Sequence, residues 1–155
     1  MHDRLLAWVF ESHLMDFDAE IRAYRRSDKD GVIALWTLVF PGEARWNTPA
    51  DVIGRKLSVQ PELFCVATQQ DQIVGTIIAG YDGVRGWIHR LAVHPDCRRN
   101  GLASRLMQRA EGGLKDLGCA KLNLQVRASN REVLKFYAAL GYVVEDRTSL
   151  GKPLD

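Results

Sequence analysis

A change from strand to helix is centred on the stretch LAVHPDCRRNGLAS, residues 91–104. Its apolar start is typical of a buried strand, and Pro95 ends that strand because proline has no N–H for a sheet ladder. After two arginines, Gly101 leads into a helix whose first N–H groups lack intrahelical acceptors. Such a helix end carries partial positive charge and suits a phosphate group. The stretch therefore predicts a phosphate site between a strand and a helix.

The residues of this turn suit a diphosphate. Gly101 lets an oxygen approach the backbone with no Cβ in the way, and Ala103 keeps the next turn narrow. Arg98 and Arg99 can neutralise the phosphate charges. An ordinary helix start with a solvated basic turn is the alternative explanation. A nucleotide P-loop and a dinucleotide fold are not favoured, because neither the Lys-Ser/Thr pair nor the GxGxxG pattern is present.

Strand and helix signals alternate on both sides of the turn. The last helix is expected to begin with a capping box formed by Ser129 and Glu132. The predicted order is β-α-α-β-β-β-α-β-α-β, an α/β (α+β) arrangement in one domain. The pattern predicts strands over residues 21–24, 63–68, 73–80, 86–93, 121–126 and 142–148, and helices that begin near Ser27, Thr48, Leu102 and Ser129.

Composition excludes several classes of protein. The chain has 155 residues, 46% of them hydrophobic, and a net charge of +2. These values fit a globular domain and do not suggest a nucleic-acid partner held by phosphate neutralisation. Cys65, Cys97 and Cys119 are odd in number and lack CxxC spacing, so we expect neither a disulfide framework nor a metal site. This cysteine usage favours a reducing, cytoplasmic location.

The first residues are predicted to be an extension ahead of the domain. Residues 5–10 are apolar, but Glu11 and His13 interrupt the run, which is too short for a membrane span or a signal sequence. We therefore expect residues 1–18 to be a disordered or helical extension and residues 19–155 to form the domain. No membrane association is expected.

Two separated motifs resemble those of one enzyme family. Arg98-Arg99-Asn100-Gly101-Leu102-Ala103 matches the (Q/R)-x-x-G-x-(G/A) signature of the GNAT superfamily of acetyl-CoA-dependent N-acetyltransferases, and residues 91–95 resemble their fourth strand. Asn130, Phe136-Tyr137 and residues 140–142 resemble the later motif of that family. The resemblance extends over residues 20–147.

The resemblance implies a fold and a set of cofactor contacts. The family has a mixed, mostly antiparallel, splayed sheet flanked by helices, opened by a bulge in the fourth strand and by parting of the fourth and fifth strands. Asn130 is expected to contact the cofactor arm, and Tyr137 to contact the cofactor and donate a proton to the departing sulfur. The residues expected to bind acetyl-CoA through the pantetheine arm are Leu91, Ala92 and Val93, and those expected to bind its pyrophosphate are Arg98, Arg99, Asn100, Gly101, Leu102, Ala103 and Ser104.

The implied reaction is direct attack of a neutral amine on the acetyl thioester in a ternary complex. A base must therefore take a proton from the amine. Strand alternation predicts that Trp87, His89, Leu91 and Val93 share one face, which makes His89 a candidate base, although a histidine in a strand is more often a packing residue. Glu43 and Asp82 are alternatives in loops. The apolar stripe of the last helix is the alternative explanation for Tyr137.

The acceptor is the least defined part of the hypothesis. Trp46, Tyr81 and Asp82 are candidate acceptor-binding residues, because aromatic walls suit an aliphatic amine or a peptide end. The acceptor amine is expected on a small molecule or a protein, and no metal is expected. Homodimers are common in the family, but no stretch specifies an interface. A non-catalytic acyl-CoA-binding regulatory module and an unrelated α/β interaction domain are the alternatives.

Overall fold

The computed structural model describes residues 18–154. All of the predicted extension except Asp18 lies outside the described residues, so the domain boundary remains a prediction. The described residues divide into two compact units, of which the first ends at Asn123 and the second begins at Leu124. Within residues 18–154 no helix is both long enough and apolar enough to cross a bilayer.

The N-terminal unit is built on one five-stranded sheet. Its strands lie in chain order, and the first four are antiparallel to their neighbours, whereas the fifth is parallel to the fourth. The mixed, mostly antiparallel sheet is therefore confirmed. The strands are β1 (Glu20–Ala23), β2 (Phe64–Gln69), β3 (Gln72–Tyr81), β4 (Gly86–Val93) and β5 (Leu122–Asn123), and the helices are α1 (Lys29–Val39), α2 (Pro49–Lys56) and α3 (Leu102–Asp116).

Helices α1 and α2 pack on one face of the sheet. The apolar residues of α1 recur at helical spacing and lie on its buried side. Their core is closed by stacked rings, with Tyr24 and Phe64 centroids 4.4 Å apart and Trp36 and Phe64 centroids 5.8 Å apart. The members of this core are Val32, Leu35, Trp36, Ile53, Phe64, Val66, Ile78 and Ala92.

Helix α3 packs close to β3. Its buried residues Leu102, Leu106, Ala110 and Leu114 recur every four positions, as the sequence pattern predicted. A Cβ added at Gly75 would lie 3.1 Å from Leu106 Cδ1 and 3.2 Å from Ala67 Cβ. Glycine at this position therefore allows the close approach of the helix to the strand.

A bulge interrupts β4, as the family resemblance implied. His89 pairs with Ile78 and Ala92 pairs with Thr76, so Arg90 and Leu91 lie opposite one residue of β3. Arg90 adopts a left-handed conformation with φ of 54°.

The prediction that Trp87, His89, Leu91 and Val93 share one face is wrong, because the inserted residue reverses the alternation. His89 lies opposite Ile78, which belongs to the core under α1. Val93 lies opposite Gly75, on the face covered by α3.

The C-terminal unit contains α4 (Arg131–Ala139). The predicted capping box at Ser129 is corrected by the structure: Asn130 is the N-cap, and its Oδ1 accepts a hydrogen bond from Val133 N at 3.4 Å. Asparagine is among the best N-cap residues because its side-chain oxygen satisfies a free N–H of the first turn. Gly141, with φ of 92°, follows the helix end as predicted.

Two predicted strands differ from the structure. The strand predicted over residues 121–126 is reduced to β5, and residues 142–148 form no strand. The side chains of Val143 and Val144 in this second segment are exposed. Valine favours a strand mainly through packing on a half-buried pleated surface, so valines without that burial do not define one.

Candidate active site

The predicted phosphate turn connects β4 to α3. A short 3-10 turn over Pro95–Cys97 is closed by His94, whose Nδ1 accepts a hydrogen bond from Asp96 N at 3.1 Å. Arg99 and Gly101 then adopt left-handed conformations, with φ of 65° and 83°. These two reversals direct the chain into α3, whose first hydrogen bond runs from Arg105 N to Gly101 O at 3.1 Å.

The start of α3 has the electrostatic character of an anion site. Asn100 Oδ1 accepts a hydrogen bond from Leu102 N at 3.3 Å, and the next N–H groups lie in the first turn, where no intrahelical acceptor exists. No acidic side chain lies in that first turn. The positive helix end is therefore not neutralised from within the turn. Ala103 and Ser104, two of the residues predicted to bind the pyrophosphate, lie in this first turn.

Two exposed arginines precede this helix end. Arg98 Nε donates to Val93 O at 3.1 Å, which uses one of the five N–H donors of its guanidinium. Arg99 is also exposed. The pair supplies positive charge beside free backbone donors, the combination that binds a diphosphate.

Within residues 18–154, one edge of β4 is largely without a neighbouring strand. β5 pairs with β4 only at Gly86 and Trp87, and β3 occupies the opposite edge. Residues 88–93, which include the candidates Leu91, Ala92 and Val93, have no pairing with β5. An edge of this kind can accept an extended ligand that forms strand-like hydrogen bonds.

A buried hydrogen-bond chain holds the β4 bulge. Thr76 is fully buried, and its Oγ1 accepts from Trp36 Nε1 at 2.8 Å and donates to Arg90 O at 2.9 Å. The bulge takes this carbonyl out of the regular ladder, so the threonine hydroxyl replaces the lost strand donor.

The Arg90 side chain lies under α1 and the loop that follows it. Its Nη2 donates to Asn47 O at 2.7 Å, and its Nη1 lies 3.3 Å from Glu43 Oε1. The guanidinium carbon is 4.9 Å from the Trp36 ring centroid and 5.1 Å from that of Phe40. Sequence reasoning missed Arg90, although an arginine between apolar strand residues is a signal of a bulge or of a buried charge partner.

His89, the candidate base, precedes the bulge directly. Its imidazole makes no hydrogen bond to any other residue in the described part of the chain. His89 keeps part of its surface exposed to solvent. Partial loss of hydration by the surrounding residues lowers its pKa below the usual 6.5, and the positive charges of Lys56 and Arg90 lower it further. The ring is therefore neutral at neutral pH and can accept a proton.

Lys56 is a further group that the sequence did not single out. Its Nζ donates to Ala79 O at 2.6 Å, and burial lowers the pKa of its ammonium group. Beside it, the Gln60 side chain accepts from Tyr81 N at 2.8 Å and donates to Tyr81 O at 2.9 Å. Both side chains therefore cover the end of β3.

The three acceptor candidates differ in environment. Trp46 is 52% exposed, and its carbonyl accepts from Arg55 Nη2 at 2.6 Å. The Tyr81 hydroxyl donates to Gly83 O at 3.2 Å. Asp82 Oδ1 accepts from the backbone N–H groups of residues 84 and 85, which lowers the pKa of the carboxyl group. Asp82 therefore closes the turn between β3 and β4 and is poorly suited as a base.

The C-terminal unit carries the other two candidates. Asn130 is exposed and caps α4. Tyr137 is buried between the edges of Phe136 and Tyr142, with ring centroids 5.0 and 5.6 Å away. Burial raises the pKa of Tyr137 to about 12. The phenol is therefore protonated at neutral pH. Within residues 18–154 its hydroxyl has no hydrogen-bond partner, so its proton is available for donation.

The same described range holds no group of three or more metal-ligating side chains.

Comparison with known proteins identifies the family. Residues 18–142 match the model of the acetyltransferase (GNAT) family. An acetyltransferase of Yersinia enterocolitica is 45% identical over 138 residues, which cover 87% of this chain and 95% of that protein. The crystal structure of Ard1 from Thermoplasma volcanium is similar with a TM-score of 0.72 and 26% identity, covering 82% of this chain and 84% of that one. PaiA N-acetyltransferase from Thermoplasma acidophilum, solved in complex with coenzyme A, has the same fold, with a TM-score of 0.73 and 21% identity over 84% of this chain and 93% of that one. The chain therefore belongs to the GNAT family of acetyltransferases.

Proposed function

We propose that this protein transfers the acetyl group of acetyl-CoA to a primary amine by direct attack in a ternary complex. The observation that carries the proposal is the joining of an anion-binding helix start to the unpaired edge of β4. The pyrophosphate of the cofactor would bind the turn of residues 98–104, and its extended pantetheine arm would pair with residues 91–93. One strand and the turn that follows it thereby supply contacts for two chemically different parts of coenzyme A.

The reaction requires a neutral amine. A lysine-like amine, with a pKa of about 10.4, is almost fully protonated at neutral pH. His89 is our candidate base, because its lowered pKa keeps the imidazole neutral and its ring nitrogens are not engaged by the described residues. Holding amine and thioester together then makes the attack effectively unimolecular.

The tetrahedral intermediate carries negative charge on the thioester oxygen. An N–H group at the β4 bulge is our candidate donor to that oxygen, because the bulge removes backbone groups from the ladder with β3. The hydrogen bonds of Thr76 hold this backbone, so the donor is oriented before the substrate binds.

Tyr137 is our candidate donor to the leaving sulfur. Its pKa of about 12 keeps the phenol protonated. A thiol has a pKa of about 8.5, so a free thiolate is too weak a base to take this proton completely. We therefore expect Tyr137 to act mainly by donating a hydrogen bond to the sulfur as charge develops on it. Asn130 is proposed to contact the cofactor arm.

The acceptor is proposed to bind near Trp46, whose ring is exposed, and near Tyr81 and Asp82. Its amine belongs to a small molecule or to a protein. Cysteine usage alone supports the proposed cytoplasmic location. A regulatory domain that binds acyl-CoA without turnover is the second candidate, and it differs from the enzyme in releasing no CoA thiol.

The first test is titration calorimetry with acetyl-CoA and with CoA. Gly101→Trp places a large side chain in the phosphate turn, and we expect it to weaken micromolar binding by more than about tenfold. Gly112→Trp is the matched control, because Gly112 lies on α3 with nothing within 4 Å of its added Cβ. Because Gly101 has a positive φ, any side chain placed there also strains the backbone. The charge reversal Arg98→Glu is therefore a second variant, which tests the same turn without that strain.

The second test is CoA thiol release with a panel of amines: a peptide with a free N-terminus, lysine, spermidine and an aminoglycoside. Release with any of them supports the transferase. Cofactor binding without release from the whole panel would favour the regulatory module. No binding of acetyl-CoA or CoA by the folded wild type would overturn both candidates.

A further inference from the structure

Arg90 connects the β4 bulge to the loop between α1 and α2. Its main chain forms the bulge, and its side chain binds residues 43–47, which we call the acceptor loop because they contain Trp46. We propose that Arg90 is a positioning residue that orders the bulge and the acceptor loop as one unit. This inference rests on the proposed function for its consequence in catalysis, but the coupling itself can be measured without activity.

The main chain of Arg90 contributes to this coupling through its strained conformation in the bulge. A left-handed conformation is unfavourable for a residue with a side chain, so surrounding contacts must maintain it at Arg90. The carbonyl of Arg90 is held by Thr76, and Thr76 is held by Trp36 of α1. The backbone geometry of the bulge therefore depends on the position of α1.

The side chain of Arg90 contributes through contacts that only a guanidinium group can make together. The Arg90 side chain is only 8% exposed, and its guanidinium lies over the Trp36 ring while donating to Asn47 O and contacting the Glu43 carboxylate. A planar group with several fixed donors can stack and form both contacts together, whereas a lysine ammonium cannot. Burial lowers the pKa of Arg90 and the Glu43 charge raises it, and burial has the larger effect.

The acceptor loop contains a short 3-10 turn, Arg45–Asn47, whose last two carbonyls are each held by an arginine. Arg55 of α2 donates to Trp46 O, and Arg90 donates to Asn47 O, while the Trp46 ring remains half exposed. These two carbonyls are therefore held by neighbouring arginines, whereas the indole of Trp46 is left half exposed. Loss of Arg90 removes one of the two anchors and leaves Glu43 without its cationic partner.

In the proposed reaction, Arg90 would help to position two groups, a backbone N–H of the bulge and the Trp46 side chain. The bulge would orient the N–H that meets the thioester oxygen, and the acceptor loop would place Trp46 against the incoming amine. Because one side chain fixes both, a displacement of the loop would be transmitted to the bulge, where a misplacement of about 1 Å can cost about 100-fold in rate.

Hydrogen exchange measured by mass spectrometry or NMR tests the coupling. In Arg90→Met we expect the amides of residues 43–47 and 89–92 to exchange about tenfold faster, the factor for losing one hydrogen bond of a charged group. Arg90→Lys, which keeps the charge, should give a smaller increase in both segments. Arg85→Lys, at an exposed arginine of the same hairpin, should change neither.

Two results would overturn the proposal. If only one of the two segments responds, Arg90 does not couple them. If all protected amides accelerate equally, including those of α3, Arg90 contributes to global stability alone. These readings hold whether or not any amine in the panel is acetylated, so they are separate from failure of the proposed function.

A double-mutant cycle tests the catalytic consequence with the best amine of the panel. If Arg90 orders both segments, Arg90→Met raises the amine KM through the acceptor loop and lowers kcat through the bulge. Trp46→Ala should then add little to the rise in amine KM already caused by Arg90→Met. Fully additive effects on the amine KM, or an unchanged kcat, would contradict positioning of both segments by Arg90.

Discussion

Thr76→Val probes the hydrogen-bond chain that holds the β4 bulge. Valine preserves the shape of the side chain and replaces the hydroxyl with a methyl group, which can neither donate nor accept a hydrogen bond. Trp36 Nε1–H then loses its acceptor at 2.8 Å, and Arg90 O loses its donor at 2.9 Å. Thr76 is fully buried and Trp36 is 1% exposed, so water cannot replace the missing partners without repacking.

The expected magnitude follows from these two unsatisfied groups. Each buried donor or acceptor left without a partner costs about 1–3 kcal/mol. Part of this is recovered because the added methyl group is buried, at about 0.8 kcal/mol. We therefore expect the free energy of unfolding to fall by about 3 kcal/mol, which for a domain of this size lowers Tm by about 9 °C.

Urea denaturation followed by circular dichroism measures this loss. Thr37→Val is the matched control: the Thr37 hydroxyl donates to Ile33 O at 2.8 Å on the exposed side of α1, so its loss should cost less than about 0.5 kcal/mol. Adding Trp36→Phe to Thr76→Val should cost less than Trp36→Phe alone, because the unsatisfied indole N–H disappears. Equal losses for Thr76→Val and Thr37→Val would refute the role of the buried chain.

Two further predictions concern the reaction. Tyr137→Phe should lower kcat by about 100-fold with acetyl-CoA affinity unchanged, because the donor to the sulfur is lost; Tyr24→Phe is the control, and an unchanged kcat would remove Tyr137 from the mechanism. Since only neutral imidazole accepts a proton and the pKa of His89 is lowered, kcat/KM should decline only below about pH 6.5. His89→Gln should abolish this acidic limb, and Lys56→Met should move it to higher pH by removing a nearby positive charge, whereas Lys29→Met should not. An acidic limb that persists in His89→Gln would assign the base elsewhere.

Local chemistry explains what could be predicted from the sequence. A strand-ending proline, two arginines and a glycine before an apolar helical repeat are sufficient to place the phosphate turn, because each acts through its own backbone or through neighbours within four residues. The element order and the apolar face of α3 follow from periodicity in the same way. Asn130 in place of Ser129 as N-cap is an error of one residue, since both side chains can cap a helix.

Only the tertiary structure decided which side chains meet. The sequence by itself determined the order of the elements as far as the last helix and the turn before α3 that we propose to bind phosphate, because periodicity and turn chemistry are local. The bulge at Arg90 arises from pairing with β3 and from contacts to α1, more than 40 positions away in the chain, and it reverses the face of every later residue in β4. Whether residues 142–148 form a strand likewise depends on a neighbouring strand to pair with and on burial of their side chains. A pattern of valines in the sequence indicates neither. The buried position of Arg90 and the lowered pKa of His89 are consequences of that packing, and therefore could not be derived from spacing.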